Sequence, residues 1–439
     1  MGATALPALL PSTNRYGFRF LLGILAGIVA AACGNSGGSG AGLGDAAQDA
    51  AQADASETGA DAGRGEGGPA GDVGTDAFVV GPHAALPQVP KNGGPVLAHP
   101  QLVTVSFAEA GDAGAPDGGL TASRVAAFGD WIVGSAWLSQ VGQDYGVGLG
   151  THVHVTLGPV PSESMTDDEV QALLAAHMQD GSLPSAASDG GAGDYLYELF
   201  FPVGTTVSAP SGLGGGDTCV PYGGDFLGGY HWQTTAPQVA YAVVPTCSSG
   251  ALVESTAAIE SEASHELIEA STDPFPETSL GWAITDQTSP WGFLDGEVAD
   301  LCSPEQVEEA GFTVQRIWSN SAAASGTNPC VPAPEEPFYD ATTIPSSVQS
   351  VLAGKKISFE VQGFSSAAVT PWSVMAFTSG GTFDPLPTLD RASLGNDQTA
   401  TLTLTIPTSV VSQDYALVIV NSSRSLDDYS YWPVVVQVP

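Results

Sequence analysis

The sequence predicts an α+β domain over residues 91–335, followed by a small all-β sandwich over residues 345–439. Three observations carry that expectation. Between about 100 and 272, β-branched and aromatic runs alternate with longer stretches whose apolar residues recur at helical spacing. Beyond about 345 only short strand-like runs remain, separated by Gly, Pro, Asn and Asp, and TATLTLTI (399–406) alternates with period two. The first ninety residues show neither pattern.

Taken in order, the chain begins with Arg15 and Arg19 ahead of an apolar run, FLLGILAGIVAAAC, ending at Cys33. A basic flank, a short apolar core and small residues before a cleavage point make an export signal over residues 1–33. The run is short for a membrane span. Ala30-Ala31-Ala32-Cys33 resembles a bacterial lipoprotein lipobox, with Ala30 where Leu is commoner. That resemblance implies lipidation of Cys33 and a membrane as partner through the N-terminal anchor. Residue 34 is Gly rather than an inner-membrane-retaining Asp, which points to the outer membrane or cell surface, or to secretion if the signal is simply cut. Residues 34–90 then read as a flexible acidic linker, nearly all Gly, Ala, Asp and Ser up to 80. Such a segment buries too little apolar surface to offset its ordering entropy.

LVTVSF (102–107) reads as a strand and 120–146 as one helix, capped by Thr121, with Val125, Phe128, Ile132 and Ala136 on one face. HVHVTL (152–157) is a second strand. Thr166 and Glu169 form a capping box that opens a helix running to Asp180 and stopping at Gly181. YLYELFF (195–201) and VAYAVV (239–244) are further strands, bracketing a Gly-rich loop that contains GGYHW (228–232). A helix follows from about Val253 to Ser271.

The chain carries 10 Lys and Arg against 47 Asp and Glu, a formal charge of −37. That excludes a nucleic-acid partner, whose phosphates need a basic surface, and electrostatic docking on anionic lipid. Besides Cys33 there are four cysteines, an even number in an exported chain. Of three pairings, chain order favours Cys219–Cys247 and Cys302–Cys330. No CxxC spacing supports a cysteine metal site.

The chemistry concentrates at SHELIEASTDP (264–274). Residues four apart share a helix face, so His265 and Glu269 can ligate one metal ion. Glu266, beside them, is placed to serve as general base toward activated water. A catalytic site needs another ligand. GEVADLC (296–302) offers Glu297 and Asp300; His231 in GGYHW is the best histidine outside the helix. Asp273, in the TDP turn, reads as a supporting partner or an N-cap. One zinc ion is expected, although an imidazole with two carboxylates also suits manganese or calcium; His231 in the set would favour zinc.

Weaker features read as structural. His152 and His154 alternate on a strand near a sheet edge, and His177 suits a helix C-terminus. Residues 91–439 contain no GxSxG elbow, and SGLGGG (211–216) lacks a phosphate-loop Lys and reads as a flap over a cleft.

An HExx helix late in a sheet-and-helix domain resembles zincin-type peptidases. With GEVADLC, RIWSNSAAASGTNPCVP (316–332), CVPYGGDFLGGYHW (219–232) and VAYAVVPTC (239–247), residues 90–335 resemble a group of bacterial secreted proteins with a zincin-like core. They are distantly similar to the EXORDIUM, or phosphate-induced protein, family. The resemblance implies a zincin-like fold in which the metal site is optional. Retention of His265 and Glu266 implies a surface-anchored metallohydrolase acting on peptides. The alternative is a non-enzymatic envelope protein on a degenerate zincin scaffold, its immunoglobulin-like sandwich serving adhesion.

Overall fold

A computed structural model describes residues 78–108, 120–185, 194–213, 215–220, 228–249, 252–425 and 428–439. The export signal, Cys33 and the linker up to residue 77 lie outside the described residues. The chain is mixed α+β.

The first part is built on five strands: β1 (Gln101–Phe107), β2 (Thr151–Leu157), β3 (Tyr195–Phe201), β4 (Tyr230–Gln233) and β5 (Ala240–Pro245), in the spatial order β2-β1-β3-β5-β4. The first four in that order are parallel; β4 is an antiparallel edge. Central strands covered on both faces are apolar almost throughout, and β3 and β5 are buried at every residue. One face presents Leu102, Leu196, Phe200, Ala240 and Val244 to helices α1 (Ala122–Ile132) and α4 (Thr256–Thr272). The other presents Val103, Tyr197, Leu199, Tyr241 and Val243 to α3 (Asp167–Asp180), through Val170, Leu174 and Met178.

The capping box at Thr166 and Glu169 forms on α3, and Gly181 ends the helix at φ 83°, a left-handed conformation that suits glycine. The single helix expected over 120–146 is two. The chain turns after Ile132, and the Ser135 hydroxyl accepts from Leu138 N at 3.0 Å, starting α2 (Ala136–Val141). A serine that can cap a new helix competes with continuing the old one. GGYHW, expected in a loop, supplies β4.

His152 and His154 are tied into the sheet edge. His152 Nδ1 is 2.7 Å from Asp130 Oδ1, and Thr104 Oγ1 lies 2.8 Å from His152 Nε2 and 2.9 Å from His154 Nδ1. The expected flap begins as a short turn over Ser211–Leu213. A Cβ on Gly212 would stand 2.7 Å from the Trp232 ring, so this turn is packed down.

The linker orders earlier than its composition suggests. Gly81 N donates to Asn396 Oδ1 at 2.8 Å, and Asn320 exchanges two hydrogen bonds of 2.8 Å with the Val89 backbone. Asn92 N and Gly94 N donate to Gly281 O and Leu280 O. Each partner is far along the chain, so composition alone could not foretell these contacts.

Cys219 pairs with Cys247 and Cys302 with Cys330, each across 28 residues. The two disulfides point to an extracellular or envelope setting. No described helix is long and apolar enough to cross a membrane.

Before the C-terminal part, β6 (Gln306–Glu309) and β7 (Phe312–Gln315) form a hairpin. The C-terminal part has two sheets. One runs β8 (Tyr339–Ile344), β10 (Lys356–Ser365), β14 (Thr399–Thr405), β12 (Pro387–Leu389). The other runs β9 (Gln349–Ser350), β16 (Tyr429–Gln437), β15 (Tyr415–Ser423), β11 (Trp372–Gly381), β13 (Ser393–Leu394). Phe359, Val361, Leu402 and Leu404 from the first sheet and Val418, Val420 and Val434 from the second enter one core, an arrangement compatible with a β-sandwich. That core is continuous with the first part: the Trp291 ring lies 5.0 Å from Trp318 and 5.5 Å from Trp432.

Glu305 sits half-buried at this join. Burial, aided by Asp340 and Asp428 against an opposing Arg316, pushes its carboxyl up to about 8. A group protonated in the folded state and ionised in the unfolded state stabilises fully below its ordinary pKa, and that stability is lost as pH rises towards about 8. Glu305→Gln, which mimics the protonated form, should therefore lessen the fall in unfolding free energy between pH 5 and pH 8. The reduction should be about 2 kcal/mol after allowing for solvent access. Urea denaturation at the two pH values measures it; equal falls in variant and wild type would contradict the assignment.

Candidate metal centre

Helix α4 passes through the middle of the first part. The Ser255 hydroxyl caps it by accepting from Ala258 N at 3.1 Å, and every residue from Ile259 to Thr272 is buried. Such a helix should be apolar on all sides, yet it buries Glu260, Glu262, His265, Glu266 and Glu269. Buried charges need partners. Glu260 has Arg124 as an ion-pair partner, and the others converge on one centre.

His265 and Glu269 lie one turn apart with Nε2 and Oε2 separated by 3.1 Å. Glu269 Oε1 accepts from the backbone N–H groups of Ala299 and Asp300, both at 3.2 Å, which draws GEVADLC against the helix. Asp300 Oδ1 then stands 3.6 Å from His265 Nε2. The ligand atoms of His265, Glu269 and Asp300 all fall within 4.8 Å of one another, as do those of His231, Glu269 and Glu297.

His231 enters from the edge strand β4. Its Nε2 is 3.2 Å from the Asp273 carbonyl oxygen, so that nitrogen donates. Its Nδ1 lies 3.6 Å from Glu266 Oε2 and 3.7 Å from Glu269 Oε2. Glu297 Oε1 is 3.8 Å from His231 Nε2. Expected as support or as an added zinc ligand, His231 is as deeply placed as the helix ligands. Asp273 is not an N-cap. It ends α4, and its Oδ1 accepts from Gly281 N at 2.7 Å, because the chain turns away at Pro274 instead of starting a new helix. The side chains of His231, His265, Glu266 and Glu269 are at most 5% exposed, while Asp300 is 12% and Glu297 18% exposed. The centre therefore opens to solvent on the side of Glu297 and Asp300.

Two further residues matter that sequence reasoning did not single out. Gln315, at the end of β7, donates from Nε2 to Ala299 O at 2.7 Å, so its Oε1 faces His265 Nδ1 at 3.0 Å. In the neutral imidazole this places the proton on Nδ1 and turns the Nε2 lone pair to the centre, the usual support of a metal-binding histidine. No spacing in FTVQ signals it. Gln315→Ala should weaken zinc binding by about 10–100-fold with the fold intact. Competition against a chromophoric chelator measures this, and unchanged affinity would contradict the role. Glu198 is the second. It is fully buried on β3, and neither carboxyl oxygen has a hydrogen-bond partner among the described residues. Strand register sets it in one row with His154, Thr104, Ala242 and His231. Burial, and then the charge of Glu266, push its carboxyl well above the usual range. A glutamate inside the apolar run YLYELFF was the available signal.

Among the described residues, the ion pairs of this centre join only histidines to carboxylates. Burial, followed by the Glu269 charge, pushes Glu297 and Asp300 well up. Burial pushes Glu262 up as well, with the Glu266 charge beside it. Burial disfavours imidazolium at His265, but Glu269, Glu266 and Asp300 together outweigh it and the net shift is well upward. Burial also disfavours ionised Glu269, yet His265, His231 and the Asp300 N–H together carry it below the ordinary value. A divalent cation fits this set. It would replace the histidine proton, face a free carboxylate oxygen and an oriented lone pair, and offset the surplus of buried acid.

No protein-family model and no curated protein matches the sequence. Solved structures overlap it only in part. A nucleoside hydrolase-related hypothetical protein from Saccharophagus degradans is similar over 23% of this chain and 26% of its own, at 13% identity and a TM-score of 0.18. A chimeric titin Z1Z2 carrying a KLER peptide from decorin is similar over 24% and 97%, at 15% identity and 0.17. Domains 4 and 5 of the S-layer protein SbsC are similar over 23% and 47%, at 17% identity and 0.17. Overlaps this weak carry no argument about fold or function.

Proposed function

We propose that this chain is a metal-dependent hydrolase of the peptidase class, on a zincin-like core with an immunoglobulin-like sandwich. We place it at the cell envelope, on a lipid anchor at Cys33. The observation that carries the reading is the convergence of His265 Nε2, Glu269 Oε2 and Asp300 Oδ1 beside the buried Glu266 carboxylate. Zinc suits the site if His231 contributes, and manganese suits its carboxylates.

His265, Glu269 and Asp300 would hold the ion, which when bound supplies Lewis-acid polarisation of a carbonyl and acidifies water. Glu266 Oε2 is buried and has no hydrogen-bond partner among the described residues. It is free to take the proton of the attacking water. As hydroxide adds to the carbonyl carbon, that proton passes through Glu266 to the departing amine nitrogen, and the C–N bond breaks. Burial pushes the neighbouring Glu262 and Glu198 carboxyls well above the usual range, and Glu266 is the acidic residue of this group placed beside the ligand set. Gln315 keeps His265 in register, and Glu297 and Asp300 mark the side of the centre nearest solvent, from which a substrate would approach.

The test is hydrolysis of a broad peptide library by zinc-loaded and by chelated protein. Cleavage that needs the metal is expected. Silence at full metal occupancy would overturn the reading and favour an anchored binding protein.

A further inference from the structure

We propose that the centre is built for two divalent cations bridged by Glu269, the second held by His231 and Glu297. This rests on the metal reading above. Two sets of ligand atoms, each within 4.8 Å, share Glu269 and otherwise use different residues. Glu269 Oε2 stands 3.1 Å from His265 Nε2 and 3.7 Å from His231 Nδ1, so one oxygen faces both imidazoles. Its Oε1 is already engaged by two backbone N–H groups, which fixes the carboxylate in that pose. Two-metal hydrolytic sites hold their ions about 3.5–4 Å apart on such shared carboxylates.

The two histidines reach the centre from different elements on independent supports. His265 comes from α4 and is oriented by Gln315; His231 comes from the edge strand and is oriented by the Asp273 carbonyl. Glu297 and Asp300 stand three residues apart on one segment, so a single loop supplies a terminal carboxylate to each set. Glu266 Oε2 gives a separate indication. It is buried, lacks a hydrogen-bond partner among the described residues, and lies 3.6 Å from His231 Nδ1, on the side of the second set. Glu262, Glu266, Glu269, Asp273, Glu297 and Asp300 surround two imidazoles, and among the described residues the ion pairs of this cluster include no Lys or Arg. One divalent cation offsets two negative charges, whereas two offset four, closer to what these carboxyls carry when ionised. The cations that fit are small divalent ions accepting both nitrogen and oxygen, zinc or manganese.

The experiment titrates the full metal-free chain with zinc and with manganese, counts bound ions, and records the electron paramagnetic resonance of the manganese form. Two equivalents and the spectrum of an exchange-coupled manganese pair are expected in the wild type. Glu297→Gln should fall to one equivalent and show an isolated-ion spectrum. One equivalent in the wild type, with an isolated-ion spectrum that Glu297→Gln leaves unchanged, would overturn the bridge and leave the single-metal reading standing. No bound metal in the wild type would overturn both.

Discussion

Glu266→Gln should lower kcat on a cleaved reporter peptide by about 10²–10⁴-fold while leaving the zinc content of the protein unchanged. The amide keeps the size of the carboxyl and cannot accept the proton. Glu266 belongs to neither set of converging ligand atoms, so the ion should stay. Its surroundings favour the substitution structurally, because Glu198 and Glu262 already crowd it with carboxyls. Turnover and metal content measured on the same preparation separate the possibilities. Retained turnover would show that Glu266 is not the base. Lost metal would show that it is a ligand.

Breaking Cys302–Cys330 by a double Cys→Ser change should cost roughly 3–4 kcal/mol of stability, from the loop-closure entropy of its 28-residue span. Cys219–Cys247 spans the same 28 residues, so its loss should cost a similar amount. The two should differ at the centre. Cys302 closes the short turn Asp300–Cys302, so its disulfide also holds a ligand in place. Zinc affinity should fall in the Cys302/Cys330 variant and stay nearly level in the Cys219/Cys247 variant. Chemical denaturation and metal competition test both halves, and equal affinity in the two variants would sever the link between that disulfide and Asp300.

Local chemistry was legible in the sequence. The Thr166 capping box, the Gly181 stop and the buried strand runs each depend on residues within a few positions of one another. The same holds for His265 and Glu269, whose four-residue spacing places them together on any helix. Glu297 and Asp300 could be named because they cluster, but their pose depends on backbone N–H groups binding Glu269 from thirty residues away. Gln315 and His231 were harder. One lies on a hairpin 50 residues beyond His265, the other on an edge strand that GGYHW hid behind two glycines. Those glycines are there for space: a Cβ on Gly229 would come within 2.7 Å of Glu262 Oε1. The helix break at Ser135 and the bound segment from Gly81 to Gly94 failed for one reason. Each was set by a specific hydrogen bond that competed with average propensity.

The most direct test of the central claim is elemental analysis of the purified full chain beside His265→Ala. The account predicts bound zinc in the wild type and the loss of at least one equivalent in the variant. No zinc in either protein, or the same amount in both, would contradict it.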